Sequence, residues 1–191
     1  MSAAPVRKLS VEEYLAMDRA ADLKSEYHDG EVFPIAAVSL AHAQMAIRIG
    51  RRLDERLEPS PCRVAALARV RVSPTKFVYP DIIVFCGAPS LTDEVADTIT
   101  NPRVIVEILS PSTADYDYGG KFALYRRLPS FEEYLLVAQD EPRVEVFRRT
   151  PDGRWMLSTY QGPDATIPVE CLNISIPMSE IVLSREISLP Q

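Results

Sequence analysis

"PRVIVEILSPST", Pro102 to Thr113, sets an acid inside an apolar segment. Val104, Ile105, Val106, Ile108 and Leu109 form an apolar run with the length of one buried strand. Glu107 sits in its middle. A lone ionised carboxylate there costs on the order of several kcal/mol of desolvation, so it needs a partner. Either an arginine forms a structural ion pair with it, or a metal ion neutralises it.

A second strand of the same character lies upstream. In "YPDIIVFC", Tyr79 to Cys86, Asp81 follows Pro80 and precedes a nearly continuous apolar run. If the two strands are neighbours, their carboxylates meet near one point. Two like charges in apolar surroundings repel, and one takes up a proton unless a cation sits between them. Hard oxygen ligands of this kind suit Mg²⁺ or Mn²⁺. Glu26, before the Asp29-Gly30 turn, is a third acid, and Lys121, early in the next helix, is a candidate cation. Lysine in such a place orients water or stabilises charge building on a phosphate. Each residue also has a plain structural alternative. Asp81 is compatible with a strand-start cap, Glu26 with a solvated hairpin acid, and Lys121 with an exposed helix lysine.

The flanks give the rest of the architecture. "LSVEEYLAM" opens a helix, with Ser10 and Glu13 at capping-box spacing. "SEYHDGEVFPIA" reads as a hairpin around Asp29-Gly30. "SLAHAQMAIRIGRRLDERLE" is the longest helical segment, with Ile47, Leu53 and Leu57 on its buried face and Pro59 and Pro61 beyond its end. "CRVAALARVRVS" has strand character, Val70 and Val72 alternating with Arg69 and Arg71. After a polar connector and the Glu107 strand, "STADYDYGGKFALYRRL" is a loop leading into a helix. "FEEYLLVA" is a strand, and "RVEVFRR" and "RWMLSTY" form a second hairpin around Pro151-Asp152-Gly153. "ATIPVECLNISIP" supplies one or two closing edge strands, where its prolines are tolerated. The expectation is an α+β or mixed-sheet α/β fold, with residues 1–191 as one domain and a core over about 10–183.

Composition excludes several classes. No apolar run approaches the roughly 18 residues of a membrane helix, and "MSAAPVRKLS" lacks the apolar centre of a signal peptide. A cytoplasmic protein is expected. The three cysteines, Cys62, Cys86 and Cys171, are far apart and form no CxxC pair. Free buried thiols are expected at Cys62 and Cys86, rather than a zinc site or a disulfide. Two histidines, His28 and His42, leave little room for histidine-rich metal sites or Ser/His/Asp machinery. A net charge of -6 argues against non-specific coating of nucleic acid, though not against a local basic groove.

"YPDIIVFC" followed by "VIVEILSPSTADYDYGGKFALYRRLPSFEEYLLV" resembles the PD-(D/E)XK nuclease superfamily. More closely, it is similar to a large bacterial family of restriction-endonuclease-like proteins long catalogued as a domain of unknown function. "EYHDGEVFPIAAVSLAH" and "CRVAALARVRV" extend the resemblance over most of the chain, from about Ser10 to about Ile181.

The resemblance implies a restriction-endonuclease-like core, a mixed sheet flanked by helices and hairpins. It implies a metal-dependent DNA endonuclease using Mg²⁺ or Mn²⁺. The family's acids fall on Glu26, Asp81 and Glu107, with the backbone carbonyl of Ile108 as a further metal ligand. The superfamily lysine normally lies two residues after the second acid, which here is Leu109; it falls instead on Lys121. The family's acid before the "RVRV" strand is missing near Leu67 and Ala68. Glu26 is expected to reach the metal through water or to hold Lys121. Asp117 is expected to cap the Lys121 helix, Tyr125 to support Lys121, and His42 to be structural.

For DNA, Arg69 and Arg71 on one side of their strand are expected to line a groove. Arg48, Arg51, Arg52 and Arg56 share a helix face. They read as a phosphate-contacting stripe or, more commonly for such runs, as a solvated face balanced by Asp54, Glu55 and Glu58. Double-strand cutting needs two sites and edge strands need cover, so a homodimer is expected. The alternatives are a nuclease fold kept as a non-catalytic binding or assembly module, and a phosphoesterase acting on small nucleotides.

Overall fold

The computed structural model describes residues 8–92, 95 and 97–182. Helix α1 (Val11–Ala20) starts at a reciprocal cap. The Glu13 N–H donates to the Ser10 hydroxyl and the Ser10 N–H donates to the Glu13 carboxylate. Strands β1 (Ser25–His28) and β2 (Glu31–Pro34) form the expected antiparallel hairpin. Asp29 and Gly30 both take positive φ, 52° and 100°, as its two-residue turn requires.

Helix α2 (Leu40–Leu57) is capped by the Ser39 hydroxyl and buries Met45, Ile49, Leu53 and Leu57, a strict four-residue repeat. Ile47, expected on that face, is 73% exposed. Two positions from Met45, it points roughly 200° away.

The strand expected over Cys62–Ser73 is two. β3 (Cys62–Ala66) and β4 (Arg69–Ser73) are separated at Leu67, which is exposed with φ 53° and donates its N–H to the Asp81 carbonyl. Strands β5 (Lys76–Val78), β6 (Ile82–Cys86), β7 (Thr98–Ile99) and β8 (Val104–Ile108) follow. A π-helical turn over Tyr116–Lys121 then runs into the short helix α3 (Phe122–Tyr125). The chain closes with β9 (Glu133–Val137), β10 (Arg143–Arg149), β11 (Trp155–Gln161), β12 (Thr166–Val169), β13 (Ile174–Pro177) and α4 (Met178–Ile181).

The architecture is mixed α+β. A six-stranded sheet has the order β11-β10-β9-β8-β6-β3, and a five-stranded sheet the order β2-β1-β5-β4-β7. Within the first, β8 and β9 run parallel and β6 and β8 antiparallel. β12 and β13 are a separate two-stranded ribbon, not edges of the larger sheet.

Both faces of β8 are covered, which explains why apolar residues point to both sides of it. Val104, Val106 and Ile108 pack with α2, the ribbon and α4. Ile105 and Leu109 pack with Val70, Val72 and Val78 of the second sheet and with Leu124 and Tyr125 of α3. By strand alternation, Glu107 faces this second side. Leu109, at the usual lysine position, is spent on that apolar packing.

Cys62 and Cys86 are direct cross-strand partners on β3 and β6, and a disulfide joins them. This corrects the expectation of two free thiols. The strand register brings together cysteines 24 residues apart, which spacing alone does not reveal. Among the described residues, no helix is long and apolar enough to cross a membrane.

Candidate active site

The β6–β8 register pairs Ile82 with Val106, so its continuation sets Asp81 opposite Glu107. The two acids are then tied to each other's backbone. Asp81 Oδ2 accepts from the Ile108 N–H at 2.8 Å, and Glu107 Oε2 accepts from the Asp81 N–H at 3.3 Å. The two strands are neighbours, and each carboxylate accepts from the backbone N–H at or beside the other acid.

Lys121 reaches Glu107 from the π-helical turn. Its Nζ donates to Glu107 Oε1 at 3.0 Å and lies 3.2 Å from Asp117 Oδ1 and 3.9 Å from Glu26 Oε1. Tyr125 donates to the same Glu107 oxygen at 2.8 Å, so it fixes the carboxylate on which the lysine rests. Asp117 does not cap the helix. It lies inside the π-helical turn, one turn before Lys121, and its buried carboxylate turns to the ammonium.

A chain of polar contacts orients Asp81. Ser39 donates to Gln139 Oε1 at 3.1 Å, and the Gln139 amide donates to the Leu109 carbonyl at 2.7 Å. That amide faces His42 Nδ1 at 3.4 Å. Nδ1 as acceptor leaves the ring proton on Nε2, which lies 2.9 Å from Asp81 Oδ1. His42 is thus a positioning residue for an acid of the cluster, and the cap at Ser39 serves the same chain.

Glu26 is held from the other sheet. Its carboxylate accepts from the Tyr79 N–H at 3.3 Å and from the Tyr116 hydroxyl at 3.0 Å, with His28 Nε2 at 3.4 Å. Tyr116 can lie there because Gly120 has no side chain: a Cβ at Gly120 would sit 2.4 Å from the Tyr116 ring. Tyr116, His28 and Gln139 were not singled out from the sequence. His28 carried a signal, since it stands two residues after Glu26 on the same strand face.

Charge in the cluster is unbalanced. Glu26, Asp81, Glu107, Asp117 and the cation Lys121 all line one cavity of about 350 Å³, which Ile108 also lines. Burial pushes the Glu107 carboxyl up to about 8, with Asp81 and Asp117 adding to this against the pull of Lys121. Burial raises Asp117 as well. Burial also opposes the lysine charge, but Glu107, Asp117 and Glu26 outweigh it and hold the ammonium above the usual lysine range. For Glu26 burial is overcome by His28, Lys121 and the Tyr79 N–H, and its carboxyl lies below the usual range. So Lys121 is a hydrogen-bond-donating cation at neutral pH, not a base, and the four acids lining the cavity outnumber this one cation.

That surplus and the all-oxygen donor set fit a hard divalent cation. Among the described residues, no three His, Cys, Asp or Glu side chains form a ready ligand set. Asp81 and Glu107 would therefore need a backbone carbonyl, such as that of Ile108, and water to complete a shell.

The arginines are placed elsewhere. Arg69, expected in a groove, is 3% exposed. Its guanidinium bonds Asp97 at 2.9 Å and the Tyr79 hydroxyl at 3.0 Å, with Asp18 at 3.4 Å. The side of β4 that looks solvent-facing is covered by α1 and the Asp97 loop. Arg71 folds back onto the Ser73 and Pro74 carbonyls and over the Phe77 ring. On α2, Arg51 and Arg52 pair with Glu55, Arg52 and Arg56 with Glu180, and Arg48 donates to the Val182 carbonyl. This stripe ties α2 to the α4 region, with Glu180 in place of the expected Asp54 and Glu58.

Two curated relatives come from Synechocystis sp. The uncharacterized protein sll1609 is 32% identical over 176 residues, covering 91% of this chain and 99% of that protein. The uncharacterized protein slr1290 is 33% identical over 163 residues, covering 84% and 85%. A crystal structure of a putative nuclease belonging to DUF820 from Anabaena variabilis superposes with a TM-score of 0.74. It is 18% identical, over 91% of this chain and 97% of that one, so the likeness is one of fold. Residues 11–179 match the Uma2 family, described as "Putative restriction endonuclease", and the chain belongs to that family.

Proposed function

We propose that the protein is a divalent-metal-dependent hydrolase of phosphodiester bonds in DNA, with Mg²⁺ or Mn²⁺ as its ion. One observation carries this reading: Asp81 and Glu107 are knitted together over Lys121 in an open cavity with an excess of carboxylates. The family and the fold are consistent with it.

In this reading Asp81, Glu107 and the Ile108 carbonyl hold the ion. A divalent ion there supplies Lewis acidity toward the scissile phosphate. The residues of the chain do the positioning. His42 holds Asp81 in place, and Tyr125 does the same for Glu107. Lys121 donates from its ammonium to the attacking water or to charge developing on the phosphate. Glu26 and Asp117 keep that ammonium charged and aimed. A homodimer, with two such sites for the two strands of a duplex, belongs to the same proposal.

The test is cleavage of plasmid and single-stranded DNA with Mn²⁺ or Mg²⁺. Asp81→Ala and Lys121→Ala should each lose at least about a hundredfold in rate. Equal activity in wild type and both variants would sink the assignment. Calorimetry separates the non-catalytic alternative, because Mn²⁺ affinity that ignores Asp81 and Glu107 removes the basis for hydrolysis.

A further inference from the structure

A second cavity, about 490 Å³, opens beside the acid–lysine cluster and shares Glu26, Thr113 and Lys121 with it. Its size falls in the roughly 300–1,000 Å³ range of small-molecule sites. Its walls are aromatic and aliphatic: Phe33, Pro34, Ile35, His28 and Tyr116. The β1–β2 register sets Phe33 opposite Glu26, so its ring stands on the same face as the acid. His28 stands edge-on to both Phe33 and Tyr116, with ring centroids 5.4 Å and 6.4 Å away. Phe33 is nonetheless 47% exposed, a large apolar face left open at the rim of a polar site.

Charge argues for the kind of ligand. Gripping duplex DNA relies on Lys and Arg contacts to many phosphates. Among the described residues, the linings of the two cavities contain Lys121 and no arginine. Arg51, Arg52, Arg56 and Arg69 are engaged by Glu55, Glu180, Asp18 and Asp97. Open aromatic faces suit the stacking of unpaired bases, a contribution of roughly 1–3 kcal/mol per base that comes in addition to backbone contacts such as one from Lys121.

We infer that this cavity seats an unpaired nucleobase of single-stranded or locally melted DNA, adjacent to the phosphodiester held at the acid–lysine cluster. The inference rests on the hydrolase reading and names its substrate class. Phe33 forms one wall, Tyr116 the other, and the flanking phosphate lies toward Lys121. Duplex DNA enters only where a base leaves the stack.

The test is fluorescence anisotropy of a labelled oligodeoxynucleotide, alone and annealed to its complement. Ca²⁺ serves as a hard cation for the oxygen site. A 2-aminopurine in the single strand reports stacking directly. The single strand should bind at least tenfold tighter than the duplex. Phe33→Ala should lose about tenfold in single-strand affinity, together with the 2-aminopurine quenching, and Phe33→Trp should keep both. Because Phe33 is a half-exposed rim residue, circular dichroism should show both variants folded.

Equal affinity for the two DNA forms, or single-strand affinity unchanged in Phe33→Ala, overturns the inference. So does dAMP competing as well as the oligonucleotide, which would indicate a nucleotide pocket. Cleavage of DNA with Phe33-independent binding removes the base site and leaves the hydrolase reading standing. Phe33-dependent single-strand binding by a protein that cleaves nothing does the reverse.

Discussion

Replacing Lys121 with methionine keeps the stem and removes the charge. The ammonium touches Glu107 at 3.0 Å and Asp117 at 3.2 Å and lies 3.9 Å from Glu26. Taking one partner out of a buried ion cluster costs about 3–5 kcal/mol when the remaining charges cannot adapt. Here they can adapt, because the Glu107 carboxyl is already pushed up to about 8 by burial. Its folded pKa lies above its unfolded value of 4.5, so its contribution to stability is full below 4.5 and is lost as pH rises through about 8. Without the lysine that upper limit moves higher still.

The penalty of Lys121→Met therefore grows with pH. It should be lowest near pH 6, where Glu107 carries a proton in both proteins and the loss falls on the contacts to Glu26 and Asp117. By pH 9 it should have risen by roughly 1.4 kcal/mol, because wild type sets Lys121 against an ionised Glu107 while the variant, with no cation to offer, still holds Glu107 protonated. The steepest change is about 1.4 kcal/mol per pH unit for one proton. Urea denaturation in EDTA at pH 6, 7, 8 and 9 measures it, with the slope of each curve checking that both proteins unfold alike. A penalty that stays constant across this range would falsify the coupling of Lys121 to Glu107.

Three other expectations are independent of that one. His42→Ala frees Asp81 Oδ1 and should weaken Mn²⁺ binding about 10–100-fold by calorimetry, with little change in melting temperature without metal; undiminished affinity would remove His42 from its positioning role. Asp97 is held well below the usual carboxylate range by Arg19, with Thr98 and Arg69 adding to this against burial. Its stabilisation is present above its unfolded value of 3.8 and lost as pH falls toward its folded one, so Asp97→Asn should flatten the acid limb of stability, and a parallel limb would show that the pair contributes nothing there. Alkylation of the unreduced, unfolded chain should label Cys171 and spare Cys62 and Cys86, with reduction costing about 3 kcal/mol for a loop of this size; labelling of all three would refute the cross-link.

The parts of the fold legible in the sequence were those with local physical signatures. The Asp29-Gly30 turn, the Ser10/Glu13 cap and the doubly buried β8 each follow from a few adjacent residues. Asp81 and Glu107 each stood out as an acid beside or inside an apolar strand, while the pairing that sets them opposite comes from the β6–β8 register. What escaped depended on distant parts of the chain. Leu67 looks like a strand residue, yet the chain breaks there to pass from one sheet to the other. Arg69 reads as outward-facing because the covering Asp18 and Asp97 lie far away in sequence. Ile47 fits the composition of a buried face and misses its angle. Lys121 was identifiable as a candidate, but its three acidic neighbours come from three separate elements. No local pattern announces Gln139, whose value is only that it stands beside His42.

The β1–β2 hairpin has a consequence beyond geometry. Glu26, His28 and Phe33 belong to the five-stranded sheet, while Asp81 and Glu107 lie on or beside β6 and β8 of the six-stranded one. A half-made or heat-damaged molecule that keeps one sheet intact still has no complete cleft. One sheet alone carries either the acid pair or the Glu26–Phe33 wall, and only the docked pair of sheets carries both. Completion of the cleft is thereby coupled to docking of the two sheets, a late and non-local event in folding.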